Sequence, residues 1–300
     1  MPRTSLLGGA LVLGAGLLTA CGGSGDSPAG DGTVAVVAST NVYGDIARQI
    51  GGDRVRVTSI ISDPSQDPHS YEASTRTQLD LSRARVVIEN GGGYDDFVDR
   101  MLKTARNSSA TVLNAVRISG RTAPAGGELN EHVWYDVPSM ARLADGLAGA
   151  LGTADPAHAA TFTANAAAFK GALAPLERET AALKAAHAGA GVAITEPVPL
   201  YLLDAAGLKN ETPDEFSEAV EEGDDVPARV LRQTLALFTG KKVKALVYNA
   251  QTAGPETGKL EAAAKTAGIP SVPVTETMPA GKTYQTWMAG TIAALRAALS

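Results

Sequence analysis

The hydrophobic pattern alternates between short apolar runs and stretches whose apolar residues return every three or four positions. Residues 33–39 (Thr-Val-Ala-Val-Val-Ala-Ser) form a nearly continuous apolar run, suited to a strand buried on both faces. Over 40–52, Val42, Ile46 and Ile50 share one helical stripe, a Thr-Asn start can cap it, and two glycines stop it. Residues 55–61 return to alternation with β-branched side chains, which predicts a second strand. Beyond them, 74–82 reads as a helix, 84–90 as a strand, 94–104 as a helix and 111–115 as a short strand. Gly91, Gly92 and Gly93 lack the GxGxxG spacing and the lysine of a phosphate loop, so they mark a tight turn and no nucleotide site. Strand and helix alternate throughout, which predicts an α/β fold with a parallel sheet covered by helices on both faces.

The middle of the chain changes character. Met140, Leu143, Leu147 and Leu151 predict a helix starting near Pro138. Asp155-Pro156 then offers a cap and a first-turn proline. Phe162, Ala166, Phe169, Leu173, Leu176, Thr180 and Leu183 follow at spacings of four and three. A single helix over 156–187 would be roughly 48 Å long at ~1.5 Å per residue. Pro175 is expected to kink it. His158 and His187, near its two ends, read as surface residues. Strands are predicted again at 192–197, 243–249 and 269–276, and helices at 227–239, 256–267 and 284–299. Between them, 207–225 is a polar insert carrying Glu211, Asp214, Glu215, Glu218, Glu221, Glu222, Asp224 and Asp225, a run that reads as a solvated face, with attraction of cations by its field as a secondary idea.

Three hundred residues with 44% hydrophobic and 19% charged content suffice for one large or two medium domains with a real core. A net charge of −6 argues against a nucleic-acid partner. The first residues are of another kind: Arg3, a small apolar run over 6–18, then Leu18-Thr19-Ala20-Cys21. This pattern predicts a secretory signal over 1–20, too short for a spanning helix. Cys21 is the chain's one cysteine, and its place resembles the lipidation site of bacterial lipoproteins. The Gly- and Ser-rich stretch 21–32 then reads as a flexible tether that keeps the protein at the extracytoplasmic face of the membrane.

Two loops carry the candidate chemistry. In Asp63-Pro64-Ser65-Gln66-Asp67-Pro68-His69-Ser70-Tyr71-Glu72, both prolines force extended backbone before them, so His69 sits on a stiff loop at the carboxyl end of a predicted strand. Asn130-Glu131-His132-Val133-Trp134-Tyr135-Asp136 presents a second histidine just ahead of a helix. Each histidine alone could be an ordinary loop or structural residue. Two of them in polar loops flanked by carboxylates suit a metal better than a nucleophilic enzyme.

The string Asp67-Pro68-His69-Ser70-Tyr71-Glu72, followed by Glu131-His132-Val133-Trp134-Tyr135-Asp136 and preceded by a lipoprotein signal, resembles the metal-binding solute-binding lipoproteins of bacterial ABC importers for zinc and manganese. That resemblance runs over essentially the whole mature chain. It implies two α/β lobes, over 33–152 and 189–300, joined by one long backbone helix over 153–188, with a metal site in the interlobe cleft. By the same resemblance, Glu196, after the strand that opens the second lobe, takes the place of the third ligand. Glu276, after the last strand, takes the place of the fourth, an aspartate or a glutamate in the family. The implied set is His69, His132, Glu196 and Glu276, with Asn249 and Gln251 as outer partners. Two imidazoles and two carboxylates lean towards manganese compared with a three-histidine zinc site, with iron as a further candidate. The implied protein is a monomeric, non-enzymatic carrier, lipid-anchored through Cys21, that hands its ion to a membrane permease. A surface lipoprotein with an adhesive or structural role is the alternative, and a zinc hydrolase a lesser one, since no HExxH motif is present.

Overall fold

Strand β1 (Val34–Thr40) lies at the centre of the first sheet, and its side chains divide by parity. Val34, Val36 and Ala38 enter one core, whereas Val37 enters a second core on the opposite face. This two-sided burial is why the run is apolar at nearly every position. Helix α1 (Asn41–Gly51) follows directly and buries Val42, Ile46 and Ile50 completely. Thr40 sits at its cap position in extended backbone, but its hydroxyl makes no capping bond. Next come β2 (Val55–Ile61), α2 (Thr75–Arg83), β3 (Val86–Glu89), α3 (Phe97–Ala105), β4 (Thr111–Asn114) and α4 (Ala115–Ser119). All pairings are parallel in the order β2-β1-β3-β4, with Val36 opposite Val57 on one side and Val86 on the other. The turn after β3 holds Gly91, Gly92 and Gly93 at φ of 76, 73 and 102°, a backbone that only glycine adopts three times running without strain.

Helix α5 (Val137–Ala154) returns over this sheet, and a short 3-10 turn over Pro156–His158 leads into α6 (Ala159–His187). The buried residues of α6 are Phe162, Ala166, Phe169, Leu173, Leu176, Thr180 and Leu183, the seven positions that the spacing singles out. The helix stays continuous across Pro175. Asp155 caps with backbone geometry only, because its carboxylate is turned to His158 Nδ1 at 2.7 Å and to Arg54 at 3.8 Å. His158 and His187 are partly exposed, as expected of residues at the helix ends.

The second sheet repeats the plan with β5 (Gly191–Ile194), α7 (Leu200–Ala205), β6 (Lys209–Asn210), α8 (Asp214–Glu221), α9 (Ala228–Thr239), β7 (Leu246–Asn249), α10 (Pro255–Ala267), β8 (Ser271–Val274) and α11 (Tyr284–Leu299). Its order is β6-β5-β7-β8, again all parallel. Val192, Ile194, Val247 and Val274 join the same core that α1, α5 and α6 cover, so one continuous apolar interior runs from sheet to sheet along α6. Ala193 and Leu246 face the other way, against Phe216 of α8, Val230 and Phe238 of α9, and Leu260 of α10. The acidic insert is therefore more than a solvated face: it contributes an edge strand and a packed helix, with Phe216 fully buried.

The computed structural model describes residues 32–63, 66, 71, 74–125 and 127–300, and Thr33–Ser300 group as one compact unit. The expected signal, the lipidated Cys21 and nearly all of the tether lie outside the described residues, as does His69. Among the described residues no helix is long and apolar enough to cross a membrane.

Candidate metal centre

The carboxyl end of β1 meets the loop after β8 at a cleft, where Asn41 bonds Met278, and such strand ends are where open parallel sheets leave loops free for ligands. His132 ends a loop anchored on both sides of that cleft. Asn90 Nδ2 donates to the Glu131 carbonyl at 3.0 Å, and Tyr201 donates to the Asn130 carbonyl at 2.6 Å. Behind His132, Val133–Tyr135 make one 3-10 turn, and Asp136 starts α5 while holding Arg121 in a two-point contact of 2.7 and 3.2 Å.

The His132 ring is completely buried between Tyr94 and Trp134, whose centroids lie 5.9 and 5.0 Å away. Its Nδ1 lies 2.7 Å from Asn130 Oδ1. Two other contacts fix that amide's orientation: Oδ1 also accepts from the His132 backbone N at 3.1 Å, and Nδ2 donates to Pro197 O at 3.1 Å. Nδ1 therefore carries a proton, so that in the neutral ring Nε2 is the nitrogen with the lone pair. This is the tautomer a metal takes.

Glu196 follows β5 and is 2% exposed; Glu276 follows β8 and is 8% exposed. Asn249, at the end of β7, ties them together: its Nδ2 donates to Glu196 Oε2 at 2.6 Å and to Glu276 Oε1 at 2.8 Å. Tyr94 reaches across the cleft and donates to Glu276 Oε2 at 3.2 Å. Gln251 Oε1 accepts from the backbone N of Glu276 at 2.6 Å and of Thr277 at 2.9 Å, which fixes the loop that carries Glu276. Asn249 thus orients both carboxylates directly, and Gln251 holds the backbone that carries one of them.

The structure adds two carboxylates. Glu131 and Glu221 offer oxygens that, with a ring nitrogen of His132, all lie within 4.8 Å of one another. Glu221 Oε1 is 3.3 Å from His132 Nε2, and its side chain is 10% exposed. Burial first, then the charges of Glu131, Glu196 and Glu276, push the Glu221 carboxyl up to about 9. A set of carboxylates that drives one of its own members to hold a proton is short of positive charge, and a cation is the direct remedy. Nothing in the sequence marks Glu221 out from its acidic neighbours, although Phe216, Ser217, Val220 and Glu221 have the spacing of one helix face.

Beside these residues opens a cavity of about 610 Å³, lined among others by Glu128, Glu131, Asp204, Glu218 and Glu221. Burial and the neighbouring Asp214 and Glu128 raise the Glu218 carboxyl as well. A concave wall of one sign concentrates ions of the other.

Known proteins share this sequence and fold. The family model described as "ZnuA: Zinc-uptake complex component A periplasmic" matches residues 36–298. The manganese-binding lipoprotein MntA of Bacillus subtilis (strain 168) is 32% identical over 159 residues, 51% of each chain. The chain spans about half the length of the curated relatives it matches. Among solved structures, the periplasmic zinc binding protein TroA from Treponema pallidum superposes with a TM-score of 0.72 at 20% identity, over 90% of this chain and 100% of that one. A mutant of the laminin-binding adhesin Lmb from Streptococcus agalactiae gives 0.76 at 21% identity, over 89% and 100%. At these identities the structural matches establish a shared fold: two lobes of parallel sheet and helix joined by a long helix.

Proposed function

Because the chain belongs to the family described as zinc-uptake complex component A, periplasmic, we propose that it captures a divalent transition metal outside the cytoplasmic membrane and delivers it to the permease of an ABC importer. The observation that supports this reading is the burial together of His132, its ring held through Nδ1 by Asn130, and of Glu196 and Glu276, bridged by Asn249 after strands of the second sheet, with Tyr94 touching both His132 and Glu276. The ligand set is His69, His132, Glu196 and Glu276. For the last three, burial and a fixed orientation support the assignment; His69 rests on its motif.

Imidazole and carboxylate together suit manganese, zinc and iron, and the carboxylate share favours the harder ion. Manganese and zinc stand nearly level, and the names of MntA and TroA divide in the same way. Uptake requires no bond making beyond coordination, so the chain acts as a carrier and not as an enzyme. It works as a monomer held by a lipid on Cys21, and the metal-loaded shape docks on the permease.

The likeness to a laminin-binding adhesin favours one second reading, a surface protein with an adhesive role. Metal titration of the full chain beside His132→Ala separates the two. A carrier binds one equivalent and loses at least ~100-fold in affinity with the ligand. A purely adhesive chain binds no stoichiometric ion in either form.

A further inference from the structure

Glu221 lies outside the four-residue set, yet it makes a close contact with that set's buried imidazole. Its Oε1 is 3.3 Å from His132 Nε2, and among the described residues that oxygen has no hydrogen-bond partner although no solvent reaches it. His132 keeps its proton on Nδ1, facing Asn130 Oδ1 at 2.7 Å. The other ring nitrogen, Nε2, and a carboxyl oxygen thus face each other out of water. Two acceptor atoms so placed need a proton or a cation between or beside them, and a further carboxylate, that of Glu131, within 4.8 Å of both gives the place the donor set of a cation.

The helix that carries Glu221 is not free to swing it elsewhere. Phe216 and Ser217 of α8 are buried, Phe216 in the second sheet's outer core, and Glu221 stands one turn further along the same face. Glu131, on the first lobe's loop, closes the third side of the triangle within 4.8 Å. Glu131 and Glu221 also line the wall of the acidic cavity, so they are the donors an incoming cation meets before it reaches Glu196 and Glu276.

We propose that Glu221 is a metal-binding residue, a carboxylate ligand supplied by the acidic insert from the cavity side of the site, which together with Glu131 and His132 receives the cation. This deepens, and rests on, the carrier reading above. A further oxygen donor raises the coordination number beyond four, which manganese accepts and zinc in a closed tetrahedral site does not need. Glu221 thereby biases the site towards manganese.

The test is calorimetric titration of the full chain with manganese and, separately, zinc, together with X-ray absorption of the loaded protein. Wild type, Glu221→Gln, Glu221→Ala, His132→Ala and the exposed same-helix control Glu215→Gln are compared. The expected result is about one equivalent in wild type and in Glu215→Gln. Both Glu221 variants keep that stoichiometry, lose manganese affinity by about 10-fold or more with a smaller loss for zinc, and show one oxygen neighbour fewer around manganese. Unchanged affinity and an unchanged absorption spectrum in both Glu221 variants, with binding abolished in His132→Ala, would overturn the proposal while leaving the carrier reading intact. No uptake by wild type, or equal uptake by His132→Ala, would overturn both.

Discussion

At the scale of single residues, the site is built from side chains that aim other side chains. Asn130 sets the His132 tautomer, so Asn130→Ala should cost about 10- to 100-fold in metal affinity, whereas Asn130→Asp keeps an acceptor facing Nδ1 and should retain most of it. Titration calorimetry reads the difference directly. Asn249 plays the matching part in the other lobe, as the donor shared by Glu196 and Glu276. Asn249→Asp would place a third carboxylate between those two and lower the thermal midpoint of the metal-free chain. Saturating manganese should restore that midpoint further in the variant than in wild type; an equal gain in both would contradict this role. His132 stands out in the sequence by its polar loop ahead of a predicted helix, whereas Glu196 and Glu276 are picked out only through the resemblance to metal-binding lipoproteins, and all three are buried in the fold. Glu221 does not stand out in the sequence, since it is one acid among many, and only the folding of α8 against Ala193 and Leu246 decides which of them faces inward.

At the scale of elements, α6 is the piece whose pattern reads most fully. All seven positions that its spacing picks out are buried, because a helix shared by two lobes has only one stripe that can serve both. Phe169→Ala should therefore cost about 3–5 kcal/mol, as large-to-small changes at buried phenylalanine do, and be visible as a lower denaturation midpoint in urea. Strand ends are less legible: residues 84–90 and 192–197 read as strand throughout, but β3 and β5 stop at Glu89 and Ile194, where pairing with their neighbours ends. Glu89 shows what such an end costs. Burial, followed by the charges of Asp99 and Asp95, raises its carboxyl, against a hydrogen bond from Asn114 that lowers it. A carboxyl raised in the folded state holds its proton more tightly there than in the unfolded chain. Its contribution to stability is thus fullest below the ordinary carboxyl range near pH ~4.3 and is lost as pH rises through the folded value. Glu89→Gln should be nearly neutral at acid pH and increasingly stabilising as the pH rises; a difference that stays constant with pH would contradict this origin.

At the scale of the whole molecule, contacts that cross the cleft hold the lobes in register around the site. Asn41 exchanges two hydrogen bonds with Met278, at 2.8 and 2.9 Å, and Tyr135 donates to Thr275 O at 2.8 Å. Tyr284 donates to Trp134 O at 2.7 Å from the far end of the chain. A carrier built this way gains stability from its cargo by mass action. Metal at about 100 times its dissociation constant adds ~2.7 kcal/mol, equivalent to roughly 5–10 °C in the thermal midpoint for a chain of this size. Acidification should reverse that gain as protons compete for imidazole near pH ~6.5. The most direct test of the carrier account is the metal content, by mass spectrometry, of the full chain after incubation with manganese, zinc and iron together, beside His132→Ala. The account predicts close to one equivalent of a single divalent ion in the wild type and almost none in the variant. Equal metal in both, or none in either, would contradict it.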